Sequence, residues 1–115
     1  MLFTDAMILT GLVSQEEIAT RSSVGFYLFL PPGENERLIG RAGFTLLASE
    51  DVTAAAEAIA RRWHEAREQH RTELVSREGE ENFAGLQRFL ACVHRLSAER
   101  RLSRYCYLAE KAVNA

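Results

Sequence analysis

The sequence predicts an α/β layered fold, and three observations carry that expectation. Short apolar runs rich in β-favouring residues recur at positions 2–5, 44–48 and 102–111. Segments with helix-capping signals lie between them. The order is strand, two short helices, strand, a long helical pair, strand, an alternation in which helices cover a sheet.

The first run, Leu2-Phe3-Thr4-Asp5, is a strand ending in a carboxylate, and Met7-Ile8-Leu9-Thr10 continues apolar before breaking at Gly11. Ser14-Gln15-Glu16-Glu17 has the Ser-x-x-Glu form of a capping box, in which each side chain satisfies a free backbone N–H of the other. A short helix is therefore expected over residues 14–22. Phe26-Tyr27-Leu28-Phe29-Leu30 is apolar on every side, so it is expected to be buried or to face a partner or ligand, and Pro31-Pro32-Gly33 ends it with a rigid turn. Residues 34–42 read as a second short helix, with acids in its first turn and Gly43 past its end as a left-handed cap. Phe44-Thr45-Leu46-Leu47-Ala48 is the second strand.

From Thr53, the expected N-cap, strong helix formers continue for about 25 residues, with Ala56, Ile59, Trp63, Ala66, His70 and Leu74 as an apolar stripe at steps of three and four. On the other face Glu57 and Arg61 have the i,i+4 spacing of an exposed ion pair. Gly79 interrupts the pattern, and Phe83, Leu86, Leu90 and Val93, widened by Phe89 and Leu96, define a second and more buried helix. Two such helices around a glycine break predict a hairpin or bent pair. Residues 102–111, with Tyr105, Tyr107 and Leu108, read as the last strand. The expected organisation is one domain over residues 1–115: strand-helix-helix-strand to residue 52, a helical insertion over 53–98 and a final strand over 99–115.

Composition narrows the function classes. The chain has 115 residues, 47% of them hydrophobic, enough for a core in one domain. Fourteen basic against sixteen acidic residues give a net charge of -2, which argues against a phosphate-neutralising face and so against nucleic acid as a partner. No apolar stretch approaches the roughly 20 residues of a membrane span, and the start lacks the basic n-region and small-residue cleavage site of a signal peptide. A cytoplasmic protein with no membrane partner is expected. Cys92 and Cys106 show no CxxC spacing and sit in apolar segments, so small buried thiols are expected.

MLFTD, EEIATRSS, PPGENERLIGRAGF, LLASEDVT and ERRLSRYCYLAEK together resemble the C-terminal half of a class I S-adenosylmethionine-dependent methyltransferase, over essentially the whole chain. The resemblance implies a partial Rossmann-like sheet: residues 2–5 as the fifth strand, 44–49 as the sixth and 102–110 as the seventh. The long helical hairpin between the last two strands is the type of segment that such enzymes use as a cap over a small-molecule substrate. It implies equally what is missing. In the family the methyl donor is held by the first half, by a Gly-rich loop after strand one and an acidic residue after strand two. Gly40 and Gly43 close a helix and lack the strand-to-helix context of a nucleotide loop. The chain alone is expected to bind no cofactor and to be inactive, with S-adenosylmethionine bound only if the missing half is supplied.

Open α/β sheets bind ligands outside the carboxyl ends of their strands. On that ground Asp5, Arg21 and Tyr27 are the candidate substrate-binding residues, against the competing readings of Arg21 as a helix cap and Tyr27 as core. No catalytic residue and no metal ligand is assigned. His64 and His70 are six apart, not the four of a metalloprotease helix. His94 reads as a satisfied, partly buried imidazole, and Arg100, Arg101 and Arg104 as a solvated helix end. There is no Gly-x-Ser-x-Gly elbow. A first strand with one open side would leave backbone groups and the apolar surface of Phe3, Met7 and residues 26–30 uncovered, which predicts a homodimer or a separate donor-binding chain. The alternative is a non-catalytic α/β module that self-associates or binds another protein.

Overall fold

A computed structural model describes residues 1–24 and 28–111. The elements are β1 (Leu2–Leu9), α1 (Gln15–Arg21), α2 (Glu34–Arg41), β2 (Phe44–Asp51), α3 (Thr53–Gln69), α4 (Arg71–Glu78), α5 (Glu80–Ala98) and β3 (Leu102–Lys111). The three strands form one sheet in the order β1-β3-β2, with β3 antiparallel to both neighbours. The two strands nearest in sequence to the helical insertion, β2 and β3, are thus sheet neighbours, and α3 to α5 project as an arm that stretches the molecule to 61 Å in its longest dimension.

Local signals account for most of the boundaries. Ser14 and Glu17 form the capping box at the start of α1. Gly43, with φ 88°, ends α2 in the left-handed region that favours glycine. α5 ends in a Schellman pair, Arg101 N–H on the Leu96 carbonyl at 2.9 Å and Arg100 N–H on the Ser97 carbonyl at 3.1 Å, with Arg100 itself left-handed at φ 57°.

Four expectations about the elements are corrected. β1 does not stop at Asp5: the Asp5 carboxylate accepts the Met7 N–H at 2.8 Å, an extra residue is absorbed as a bulge between Asp5 and Ile8, and pairing with β3 resumes to Leu9. Asp5 is therefore in mid-strand. Thr53 is not the N-cap of α3. Asp51 accepts its backbone N–H at 2.9 Å, and the fully buried Thr53 hydroxyl reaches β3 by accepting the Arg104 N–H at 3.0 Å.

The long first helix is also two helices that meet at His70. The bend is held by Arg67, whose guanidinium forks onto both Glu78 oxygens at 3.0 and 2.8 Å and donates to Gln87 at 2.9 Å. Arg67 and Arg71 both stack on Phe83, at 5.0 and 4.8 Å from its ring centre.

The last correction concerns the α3 stripe. The packed side of α3 runs through the buried Thr53 and Ala60 and the half-buried His64 and Arg67, rotated from the expected apolar line. Ile59 and Trp63 stand 47% and 63% exposed. Sequence spacing identified a real amphipathic period, but polar contacts to α5, including Gln87 to the His64 carbonyl at 3.1 Å and to Glu68 at 3.0 Å, decide which side faces inward.

The core divides by sheet face. Leu102 of β3 joins Met7, Cys92 and Leu96 under α5, with Phe29 against them. Tyr107 and Ala109, of opposite parity, join Ile39 of α2 with Phe3, Phe44 and Leu46. Met7 and Phe3 are thus covered within the chain, contrary to expectation, and Phe3 stacks on Tyr107 at 5.0 Å. The apolar surface left open is elsewhere. Leu2, Leu108 and Ala48 lie in register across all three strands, on the side of Leu102 but beyond the reach of α5, with Leu2 68% and Leu108 42% exposed. Of the apolar run 26–30, Phe26 and Tyr27 lie outside the described residues. Leu28 is exposed, and Leu30 bridges to β1.

These placements separate two substitutions that the sequence alone would rank together. Leu96→Ala, at a site with no exposure, is expected to lower unfolding stability by about 2–5 kcal/mol, and Trp63→Ala by less than about 0.5 kcal/mol. Urea unfolding followed by circular dichroism reads both.

Candidate functional site

A cleft of about 850 Å³ lies between the end of α1 and the α4–α5 bend. Thr20, Ser23 and Val24 form one wall, and Asn82, Leu86 and Arg88 the other. α1 is brought there by a fixed tether. The Arg101 guanidinium forks onto both Glu17 oxygens at 2.8 and 2.7 Å, and Arg95 approaches the same carboxylate at 3.4 Å. Arg101 is therefore an anchor, not the solvated helix end expected of that arginine cluster. Ser14 N–H and then Arg101 hold the Glu17 carboxyl at a pKa of about 2, well below its ordinary 4.5.

Polar groups around the cleft differ in how far they are committed. The hydroxyls of Thr20 and Ser23 donate to the carbonyls of Glu16 and Thr20. Asn82 donates to the Glu78 carbonyl at 3.0 Å, which leaves its own oxygen available. Arg88 reaches over Gly85 and makes no ion pair among the described residues. Apolar side chains at Val24 and Leu86, with the Arg77 and Arg88 cations, the Glu78 and Glu81 carboxylates and the Asn82 amide, suit a small polar molecule better than a polymer.

The three sequence-predicted substrate residues are not gathered at one point. Asp5 faces α2: besides Met7 N–H, it accepts the Asn35 side-chain amide at 2.8 Å, close to the buried Tyr107, whose phenol pKa is raised by burial. Arg21 is 6% exposed, with its guanidinium over the Phe89 ring at 5.1 Å. It immediately follows the cleft-lining Thr20. Tyr27 lies outside the described residues. Asn82 and Arg88 escaped sequence reasoning because nothing local marks them; they matter only once α1 packs against α5.

Other side chains settle into structural roles. His94 meets Glu57 at 2.7 Å, the satisfied imidazole that was expected, and Glu57 lies 3.9 Å from Arg61. Cys92 is buried, its thiol pKa raised by that burial, whereas Cys106 is half-buried and both are free. No group of three metal-ligating side chains comes together among the described residues, and no helix there is long and apolar enough to cross a membrane.

No protein-family model and no curated protein sequence matches the chain. Solved structures do. A phosphoethanolamine N-methyltransferase 2 of Haemonchus contortus, solved with phosphomonomethylethanolamine and S-adenosylhomocysteine, matches 97% of this chain with a TM-score of 0.82 and 18% identity. A protein of Galdieria sulphuraria provisionally assigned as a sarcosine dimethylglycine methyltransferase matches 99% with a TM-score of 0.81 and 15% identity. The chain spans only 26% and 42% of those two chains. At such identities the likeness is one of fold.

Glu17 yields a test of the tether that forms the cleft wall. Its folded pKa lies below its unfolded value, so its contribution is present above about pH 4.5 and is lost as the pH falls towards 2. The urea midpoint of the parent chain is expected to fall through this window, and that of Glu17→Gln to be lower at pH 7 and flatter below pH 4.5.

Proposed function

The chain has the fold of part of a methyltransferase, and we propose that it is the C-terminal, substrate-capping portion of an S-adenosylmethionine-dependent enzyme acting on a small molecule. The observation that carries this reading is the superposition of nearly the whole chain on 26% and 42% of two methyltransferases. The sheet supports it: the order β1-β3-β2, with β3 antiparallel to both, is the one that the resemblance implies for strands five, seven and six. The cleft, of a size for a small ligand, lies between α1 and the helical insertion that would form the cap.

The residues present do not fit the methyl donor. The turn after β1 contains Gly11, but a Cβ there would lie 2.9 Å from the Arg101 Cα; this glycine serves a close backbone crossing and not a nucleotide loop. The turn after β2 is closed by the Asp51 cap on Thr53. Donor binding therefore falls to a separate half, intramolecular or on another chain. What this chain contributes is orientation of the acceptor and exclusion of water around it. In this role Arg21, next to the cleft-lining Thr20, contacts substrate, as the sequence also suggests for Tyr27, and Asp5 positions α2 through Asn35. The acceptor class is a small polar molecule of the kind in the Haemonchus contortus complex, an amine bearing an anionic group.

A second reading, a non-catalytic α/β module that pairs with itself or another protein, is favoured by the uncovered row of Leu2, Leu108 and Ala48. Both readings are cytoplasmic ones.

Calorimetric titration of the purified chain with S-adenosylmethionine and S-adenosylhomocysteine is expected to give no binding below about 1 mM; micromolar binding by the monomer would overturn the missing donor site. In parallel, phosphomonomethylethanolamine at millimolar concentration is expected to shift the amide resonances of Thr20, Ser23, Asn82 and Arg88. Unmoved resonances there would remove the cleft as the acceptor site.

A further inference from the structure

Among the described residues, the outer face of α3 carries the largest exposed apolar side chain, Trp63, beside the exposed Ile59. Ala55, Ile59, Trp63 and Ala66 are all exposed and fall within one band of the helix at about 100° per residue. A tryptophan 63% exposed beside an isoleucine 47% exposed is the composition of a contact surface and not of a solvated one. The flank of this band carries two unused charges. Arg62 and Glu65, both exposed, form no ion pair or hydrogen bond among the described residues, whereas Glu57, Arg61, Arg67 and Glu68 are engaged within the chain.

We propose that this face of α3 is a self-association surface, on which a second copy of the chain packs its own α3 antiparallel about a two-fold axis near Trp63. The sequence of the helix is self-complementary in that arrangement. In an antiparallel helix pair each flank meets its own counterpart. Arg62 of one copy then falls beside Glu65 of the second, and the second copy's Arg62 beside Glu65 of the first. Ile59 of each copy packs against Ala66 of the other, whose small side chain allows the helices to approach, and the two Trp63 rings meet at the axis. A parallel arrangement would instead bring each flank against the opposite one, so that Arg62 and Glu65 lose each other as partners. The charges thus select both partner and direction.

The surface is modest. Seventeen residues give a helix about 25 Å long, and one helix pair falls below the roughly 1,200 Å² of standard interfaces. A dissociation constant on the order of tens of micromolar is expected. The proposal is independent of the methyltransferase reading, because α3 here turns outward from the cleft walls.

Sedimentation equilibrium on the full chain, from about 10 to 500 µM, tests it. A monomer–dimer equilibrium is expected, with the emission of Trp63, the only tryptophan, moving to shorter wavelength as dimer forms. Arg62→Glu and Glu65→Arg should each weaken dimerisation by at least about tenfold, and the two together should restore it to within about threefold of the parent. Both positions are exposed and unpaired, so the variants are expected to keep the parent's circular dichroism and urea midpoint. A monomer throughout the range, or a dimer indifferent to the single charge reversals, overturns the proposal. The second result would move association to the sheet.

Discussion

The rest of the structure depends on the junction at Arg101, where the end of β1, the start of α1, the end of α5 and the start of β3 are fastened together. The Arg101 carbonyl accepts the N–H groups of Thr10 and Gly11, both at 3.1 Å, its N–H closes α5 on Leu96, and its guanidinium holds Glu17. A single residue thus ties elements some 90 positions apart in sequence. The crossing is tight enough that position 11 has no room for a Cβ. Glu17 serves two purposes at once: it completes the capping box that starts α1 and is the anion that draws that helix onto the α5–β3 turn. Without this double use α1, seven residues of marginal helix, would be held only by its packing on α5, where Arg21 lies over Phe89. The cleft wall at Thr20 and Ser23 would be held no better.

What the sequence made legible follows from the range of the interaction responsible. The capping box at Ser14, the turn at Gly33 and the left-handed Gly43 are set by neighbours within four residues, and each stands where residue chemistry put it. The break at His70 was not legible, because its cause is Arg67 reaching Glu78 and Gln87, 11 and 20 positions away. The same distance effect hid the true inner side of α3. An apolar period only says that a helix has two sides; Gln87, a buried amide that must satisfy its own hydrogen bonds, chose the polar-stemmed side for packing. Asp5 was read as the end of the apolar run Leu2-Phe3-Thr4. A bulge that bonds its carboxylate to Met7 N–H makes it tolerable in mid-strand.

The candidate site was less legible than the fold. Asp5 was singled out by position and turns out to hold α2 through Asn35. Arg21 was singled out beside the right turn but lies against Phe89, while Arg88 and Asn82, with no motif around them, belong to the polar lining of the cleft. A site composed by packing α1 on α5 has no signature within either helix.

The sheet edge limits what can join it. In the antiparallel register Met1, Phe3 and Asp5 direct their backbone groups towards β3, with Met1 and Ala109 bonded both ways, so Leu2 and Thr4 direct theirs outward. Further along, the same edge is already occupied, because Leu30 donates to the Met7 carbonyl at 2.9 Å and accepts the Leu9 N–H at 2.8 Å in a parallel bridge. The open stretch therefore offers two residues' worth of pairing, too little for a stable ladder by itself. Any chain that docks there must draw most of its energy from side-chain burial, and the adjoining apolar surface is the row of Leu2, Leu108 and Ala48. A partner fitted to this corner must bring a layer that covers the sheet face as well as a strand that meets its edge. A donor-binding half built as a sheet with helices on its faces meets both requirements, and a second copy joined through α3 leaves the corner free for it.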